Sequence, residues 1–377
     1  MGGGILERGT VSIRQYVILT ALFVIGDTIL YIPAKVIGVG KESAWLSGFL
    51  AMVAGLCAAA LYGVLASRFP RMTLIDIGSR TLGTWLGKSV GVLFVAFFLI
   101  DSAIVLWQVG DFMATHIMPE TPIQAFLILF MLVVLMGFRL GIGTVVRSAE
   151  LLFFWVVVLF AMLVVMLTPQ IDPKHLKPFF DKGPNPVLRG TLQLAGYYFE
   201  AVTLMMVLPT LRKYHGITGA YLLGIAAGSF ILSVTVMLCI LVLGTDLTEL
   251  QLFSTYVLAK KISIANFLER IEVVMASIWF FTLFFKLYVC FYATVEGAAQ
   301  LLKLKDGKAL SLPVAALLIP ASLLLVPNVV YFNDNILNMW WGFSATFGLL
   351  LPSIFFGASL LKKKRIEPRR VRGKRSG

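Results

Sequence analysis

Ten apolar runs, most of them close to 20 residues long, follow one another along a chain of 377 residues, separated by short polar or charged turns. A hydrocarbon core is crossed by about 20 helical residues, and backbone exposed to lipid has to satisfy its own hydrogen bonds. Repeated runs of this length therefore dictate a bundle of membrane-spanning helices. Composition agrees, since 59% of residues are hydrophobic and 14% charged, with a mean hydropathy of +0.91, too apolar for a soluble globule. The expected spans are 15–37, 44–67, 89–112, 122–138, 148–168, 192–211, 216–243, 271–294, 310–332 and 336–361. The fourth is short enough for a strained span or half of a re-entrant pair. Of the two longer connections, 171–189 is rich in Pro and Lys, and 244–270 has room for a short surface helix.

Charge sets the orientation. With the N-terminus in the cytoplasm, 22 Lys and Arg fall on the inner side, nine on the outer side and one, Lys286, within a span. The positive-inside rule then places both termini in the cytoplasm, as an even number of spans requires. The expected organisation is a cytoplasmic N-terminus at 1–14, a membrane domain at 15–361 and a basic cytoplasmic tail at 362–377. No short apolar core with a small-residue cleavage site precedes the first run, so a removable signal peptide is not expected. The net charge of +13 is concentrated in the tail and inner turns. A basic cluster just past a last span holds anionic lipid, and nothing resembles a nucleic-acid-binding fold.

Four ionisable residues lie well inside spans, at Asp27, Asp101, Glu200 and Lys286. Each costs about 2.5–3.5 kcal/mol at the bilayer centre on insertion scales, so such groups mark sites and pathways. Two of them sit at interruptions. Gly26-Asp27-Thr28, followed by Pro33, breaks the first run, and Gly196-Tyr197-Tyr198-Phe199-Glu200, followed by Pro209, breaks the sixth. Paired interruptions in the two halves of a polytopic chain point to a binding site near the midplane, of the kind transporters use. One lysine cannot neutralise three acids, so the residual carboxylates must be protonated, hydrated or facing a cation. Lys286 is expected to hold its charge against Asp27 or Asp101. Trp279 shares its helix face at a seven-residue spacing, as does Glu272, with Thr282 one turn before Lys286. Pro313, Pro320 and Pro327 repeat at the same spacing and suit a kinked packing helix.

No phosphate-binding glycine loop, zinc spacing or nucleophile elbow is present, so neither catalysis nor a cofactor or metal is expected. Cys57, Cys239 and Cys290 fall inside apolar runs, where a thiol behaves as a small hydrophobe. His116, His175 and His215 are isolated at span edges or in loops and read as surface residues.

These residues resemble the B subunits of the nutrient germinant receptors of bacterial spores, within the amino acid, polyamine and organocation transporter superfamily. The likeness rests on Ser12-Ile13-Arg14-Gln15, on Gly26 with Pro33, and on Phe69-Pro70, Thr73-Leu74 and Leu82-Gly83-Thr84-Trp85-Leu86-Gly87. It continues through Gly196-Tyr197-Tyr198-Phe199-Glu200 with Leu208-Pro209, Glu269-Arg270-Ile271-Glu272, Trp279 and Phe284-Phe285-Lys286, and so covers about 12–361. It implies a LeuT-like fold of ten transmembrane helices, a five-plus-five inverted repeat (about 15–168 against 192–361) with helices 1 and 6 broken. It also implies a bacterial cytoplasmic or spore inner membrane, a germinant receptor A subunit and C lipoprotein as partners, and a small nutrient, an amino acid or related metabolite, as ligand. The ligand-binding set expected is Gly26, Asp27, Thr28, Asp101, Tyr197, Tyr198, Phe199, Glu200, Trp279, Thr282 and Lys286. Transporters usually carry small residues at the first break, and Asp27 departs from that, since its charge repels a substrate carboxylate unless paired or protonated. Binding of a nutrient that signals germination through partner subunits is the function implied; a proton-coupled amino acid transporter is the alternative, and an ion-conducting scaffold subunit without its own ligand is a third class.

The charge distribution is directly testable. Cysteines introduced beside Lys174 and Lys260 are expected to react with an impermeant thiol reagent from outside intact cells, whereas one beside Lys305 is not. Labelling at Lys305 in sealed cells overturns the orientation.

Overall fold

The computed structural model describes residues 10–177, 183–262 and 271–361. The tail 362–377 and Arg8, Lys182, Glu269 and Arg270 lie outside the described residues. Apart from one parallel bridge between Val11 and Leu211, regular structure among the described residues is helical. In chain order it runs α1 (Ile13–Ile25), α2 (Thr28–Gly40), α3 (Ala44–Arg68), α4 (Leu74–Leu82), α5 (Thr84–Phe112), α6 (Ile123–Leu140), α7 (Ile142–Leu167) and α8 (Pro184–Phe199). There follow α9 (Ile217–Leu243), α10 (Thr245–Glu249), α11 (Ser254–Lys260), α12 (Glu272–Leu301), α13 (Lys308–Leu325), α14 (Val329–Tyr331), α15 (Leu337–Ala345) and α16 (Leu351–Leu361).

Eight stretches of helix among the described residues are long and apolar enough to cross a membrane. The ten expected runs differ from this count for a physical reason. The first run is split into α1 and α2, of 13 residues each, and α2 continues with only a short turn into α3, the two counting together as Thr28–Arg68. The sixth run is α-helical only as far as Phe199 and then tightens into 3₁₀ turns at Glu200–Met206 and Leu208–Thr210. The short fourth run forms the single uninterrupted helix α6 of 18 residues, long and apolar enough to cross a membrane. Pro313 and Pro320 lie inside α13, with Pro327 beyond its end. The ninth run ends as helix at Leu325, short of the expected 332, and the last helical stretch begins at Val329 rather than 336, running to Leu361 with π turns at Phe332–Ile336 and Thr346–Leu350.

The connection after α9 differs from the surface helix expected there. Its α10 and α11 are packed inward, with Thr248, Ser254, Thr255 and Leu258 buried. Phe253 meets Tyr31 of α2 edge to face, and the Thr255 hydroxyl donates to the Ile29 carbonyl at 2.7 Å. The amphipathic α4 opens on a capping box between Thr73 and Asp76, and Gln300 of α12 donates to the Asp76 carboxylate.

At the centre, α9 is wedged between α1 and α3, and small residues set the spacing. A methyl on Gly224 or Gly228 of α9 would lie 2.5 Å from Thr20 or 2.8 Å from Val24 of α1. One on Gly63 of α3 would fall 2.5 Å from the Thr218 Cα. Lipid gives helices no hydrophobic reason to associate, so close backbone approach through small residues supplies the packing. Gly219, on the opposite side of α9, has nothing within 4 Å of a methyl. Gly63→Leu is therefore expected to cost at least the usual overpacking penalty of about 1–3 kcal/mol and to lower the melting temperature of purified protein, while Gly219→Leu leaves it nearly unchanged. Equal melting temperatures for the two variants refute this packing.

Candidate functional site

The first break is imposed by sterics as much as by sequence. Gly26 has φ +25°, a backbone region that side chains rarely adopt, and an added methyl would lie 2.6 Å from Lys286 Cδ and 2.7 Å from the Phe23 carbonyl oxygen. Helix α1 ends there, with its last carbonyls aimed into the bundle, and α2 begins at Thr28. The Thr282 hydroxyl of α12 donates to the Gly26 carbonyl at 3.0 Å, taking up an acceptor that an unbroken helix would have used. The second break comes where α8 stops at Phe199 and Glu200 starts the 3₁₀ segment.

Lys286 reaches between the two breaks. Its Nζ lies 2.5 Å from Asp27 Oδ1 and 2.5 Å from Glu200 Oε2. Exposure of the three residues is 1%, 3% and 0%, so all three charges are out of contact with solvent. The rings of Phe23 and Tyr197 lie 5.6 and 5.5 Å from Nζ, within cation–π range. The C-terminal, partially negative ends of α1 and α8 both approach this ammonium, and the partially positive start of α2 lies at Asp27. Trp340 of α15 donates its indole N–H to the second oxygen of Glu200. Asp101 of α5, also buried, accepts from the Cys290 thiol at 3.1 Å, one turn along α12 from Lys286.

The structure thus gathers Gly26, Asp27, Tyr197, Glu200, Thr282 and Lys286, with Thr28 beside them, its hydroxyl 3.4 Å from Asp27 Oδ1. Lys286 pairs with Asp27 and Glu200 rather than with Asp101, whose carboxylate faces Cys290 instead. Tyr198 and Phe199 do not join the cluster. Successive helical residues point about 100° apart, so Tyr198 packs on Gly55 of α3 and Phe199 on Gly348, while the Phe199 carbonyl accepts from the Tyr62 hydroxyl at 3.0 Å. Trp279 sits two turns from Lys286 against Tyr31, Phe112 and Phe280. Glu272 lies at the start of α12 and is only half-buried. His116 belongs to an aromatic cluster with Phe112, Phe253 and Tyr256, and His175 bonds through Nδ1 to the Leu241 carbonyl at 3.1 Å; only His215 is a plain surface residue.

Sequence reasoning missed Trp340, Cys290 and Tyr31. Trp340 sits in an unremarkable apolar run, with nothing local to set it apart. Cys290 is four residues from Lys286 and Tyr31 four from Asp27, and helical spacing had put each on the face of its charged neighbour. Tyr31 packs on Phe253 and Phe332, and its hydroxyl donates to the Gln108 carbonyl at 3.2 Å. Beside it, Gln108 Oε1 and the Trp279 indole N–H are buried polar atoms without a hydrogen-bond partner among the described residues.

A broken-helix cluster of this kind sits in a chain whose residues 10–330 match the family of spore germination proteins. The chain belongs to that family. Among its relatives is Spore germination protein KB of Bacillus subtilis (strain 168), 28% identical over 367 residues, 96% of this chain and 98% of the relative. In fold it is similar to Mhp1, a nucleobase-cation-symport-1 family transporter in a closed conformation with bromovinylhydantoin bound (TM-score 0.65, 13% identity, 97% of this chain and 82% of Mhp1). It is also similar to MhsT in complex with L-phenylalanine (TM-score 0.57, 13% identity, 92% of this chain and 97% of MhsT). This spore germination protein is thus an integral membrane protein with an all-helical transporter fold.

Removing one partner of a buried ion pair costs about 3–5 kcal/mol, because it strands the other charge. Lys286→Met alone is expected to lower the melting temperature sharply, and Lys286→Met with Asp27→Asn and Glu200→Gln to recover much of the loss. Double-mutant cycles should show coupling of Lys286 to Asp27 and to Glu200, about 0.5–3 kcal/mol each, larger than its coupling to Asp101. Equal or greater coupling to Asp101 is incompatible with this geometry.

Proposed function

We propose that this chain is the membrane subunit of a spore nutrient germinant receptor, binding a small nutrient such as an amino acid and passing its occupancy to partner subunits. The observation that carries the reading is the convergence of both helix breaks, Gly26-Asp27-Thr28 and Tyr197 to Glu200, on one buried ammonium in a spore germination protein. Breaks of this kind leave N–H and C=O groups available to the polar ends of a ligand. The pairing of Asp27 with Lys286 also answers the departure noted in the sequence, since a neutralised Asp27 no longer repels a carboxylate. The ligand-contacting set is Gly26, Asp27, Thr28, Tyr197, Glu200, Thr282 and Lys286, with Asp101 and Trp279 flanking it.

On this reading the chain has ten spans, a cytoplasmic N-terminus at 1–14 and a five-plus-five inverted repeat, about 15–168 against 192–361. The count follows when α1 with α2, and α8 with its 3₁₀ continuation, are each taken as one broken span. Both termini lie in the cytoplasm of a bacterial cytoplasmic or spore inner membrane, and the basic tail binds anionic lipid. The receptor A subunit and C lipoprotein read the state of the bundle.

A second reading, a proton-coupled amino acid transporter, is favoured by the concentration of titratable groups at the centre, where Asp101 and Cys290 adjoin the Lys286 ion pairs. Both readings use the same fold, so transport has to be measured. Purified chain is expected to gain thermal stability with at least one member of a panel of amino acids, sugars and nucleosides, to lose most of that gain in Glu200→Gln, and to give no net uptake in liposomes under a pH gradient. Robust pH-driven uptake by this chain alone replaces the receptor reading with the transporter. No stabilisation by any member of the panel, with no uptake, leaves the chain as a scaffold and refutes both.

A further inference from the structure

A cavity of about 490 Å³ opens on the far side of Tyr31 from the ion cluster, lined by Tyr31, Lys35, Glu249, Leu250, Leu252 and Asn333 among others. We propose that it is a second binding site, an outer capture site for a zwitterionic amino acid with an apolar side chain, its carboxylate held by Lys35. The inference rests on the nutrient-binding reading above and adds to it a station before the buried cluster.

The stripe along α2 carries the argument. Asp27, Tyr31 and Lys35 recur every fourth residue, so they lie on one helix face in the order acid, aromatic, base. Asp27 is committed to Lys286. Tyr31, buried among Phe253, Phe332 and Trp279, stands on this face between Asp27 and Lys35 and lines the cavity. Lys35 is the cation on the cavity side. Its Nζ has one hydrogen-bond acceptor, the Asn333 carbonyl at 3.5 Å, the limit of such a bond, and among the described residues no carboxylate comes within ion-pair distance of it, although Asp334 acts on it electrostatically. An ammonium with donors left over at the wall of a cavity with a mainly polar lining fits a carboxylate.

The rest of the lining narrows the class. Glu249 also lines the cavity, already paired with Lys41, and packs on α2 beside Gly38, one turn from Lys35. One carboxylate is thus present in the lining for a ligand ammonium, its charge shared with Lys41. Leu250, Leu252 and Leu337 supply apolar wall. The volume falls within the range of small-molecule sites, about 300–1,000 Å³.

The test uses full-length chain in lipid nanodiscs carrying Asn333→Cys as a reporter and Cys57→Ser to remove the exposed native thiol. An anionic methanethiosulfonate is expected to modify the reporter several-fold faster than its cationic counterpart, and Lys35→Gln to abolish that preference. L-Leucine should slow modification, isopentylamine, which lacks the carboxylate, should not, and protection should survive Glu200→Gln but not Lys35→Gln. Absence of protection by leucine, equal protection by the amine, or protection that ignores Lys35→Gln each overturns the outer site. Protection lost in Glu200→Gln yet kept in Lys35→Gln assigns all binding to the buried cluster, so the capture site fails while nutrient binding stands; the thermal-shift panel reports separately whether the chain binds any nutrient at all.

Discussion

An ammonium buried among hydrocarbon-facing helices has to find its counter-charges inside the protein, and Lys286 finds two, on two different chain segments. That requirement organises the centre of the molecule. Asp27 can reach Nζ only because Gly26 lets α12 come within methyl distance of the first break, and Glu200 only because α8 gives way to a 3₁₀ segment at that residue. The backbone disorder of the helical ladder at each break is then made good locally, by Thr282 on the Gly26 carbonyl and by Tyr62 on the Phe199 carbonyl. Irregular backbone at membrane depth persists where protein surrounds it and satisfies it, and both conditions hold here.

The same two segments are tied together again far from the cluster. The 3₁₀ stretch after Glu200 ends at Leu211, whose neighbourhood zips onto the chain just before α1: the Thr10 and Val11 amides donate to the Thr210 carbonyl at 3.0 and 3.1 Å, and the Arg212 amide to the Val11 carbonyl at 2.9 Å. Gln15, at the start of α1, donates to Glu150 of α7 at 3.0 Å. Beyond the first break, α2 is held near its start by Thr255 on the Ile29 carbonyl and just past its end by the Lys41–Glu249 ion pair. The broken segments are therefore joined at the cluster by Lys286, by the Tyr16 hydroxyl of α1 donating to the Leu204 carbonyl at 3.2 Å, and by these outlying contacts, which makes the position of α2 against the Glu200 segment a property of the whole bundle.

Much of this was legible in the sequence and some was not, for reasons that can be named. Long apolar runs, the two breaks and the in-span charges announce themselves because the bilayer penalises exceptions. Helical spacing placed Thr282 and Lys286 on one face, and the structure keeps them at the cluster. The same geometry, applied to Tyr197, Tyr198 and Phe199, shows that three consecutive residues cannot all point one way, and only Tyr197 faces Lys286. The partner of Lys286 was not legible, since helix periodicity gives a face but not the rotation of one helix against another, and so Asp101 was as good a candidate as Asp27. Trp340 is 140 residues from Glu200, in a run with nothing to distinguish it from packing. The burial of α10 and α11 depends on Phe253 and Thr255 finding α2, a long-range event that their short, mixed sequence does not signal.

What the cluster permits follows from its stoichiometry. Three buried carboxylates, Asp27, Glu200 and Asp101, share one ammonium, the Thr28 hydroxyl, a thiol and an indole N–H as donors. Any movement that draws α2 away from the Glu200 segment leaves Lys286 with one acid and releases the other into low dielectric, where an unpaired carboxylate is costly. The released acid has to meet water, a proton or a new cation before the moved state can be populated. On the nutrient-binding proposal a ligand ammonium would be such a cation, favouring the moved state over the present one, in which Asp27 and Glu200 are both taken up by Lys286. Differential affinity of that kind is what shifts a population between two states, so on that proposal the ion pairs that tie the two breaks together are also the pairs for which a nutrient ammonium would compete.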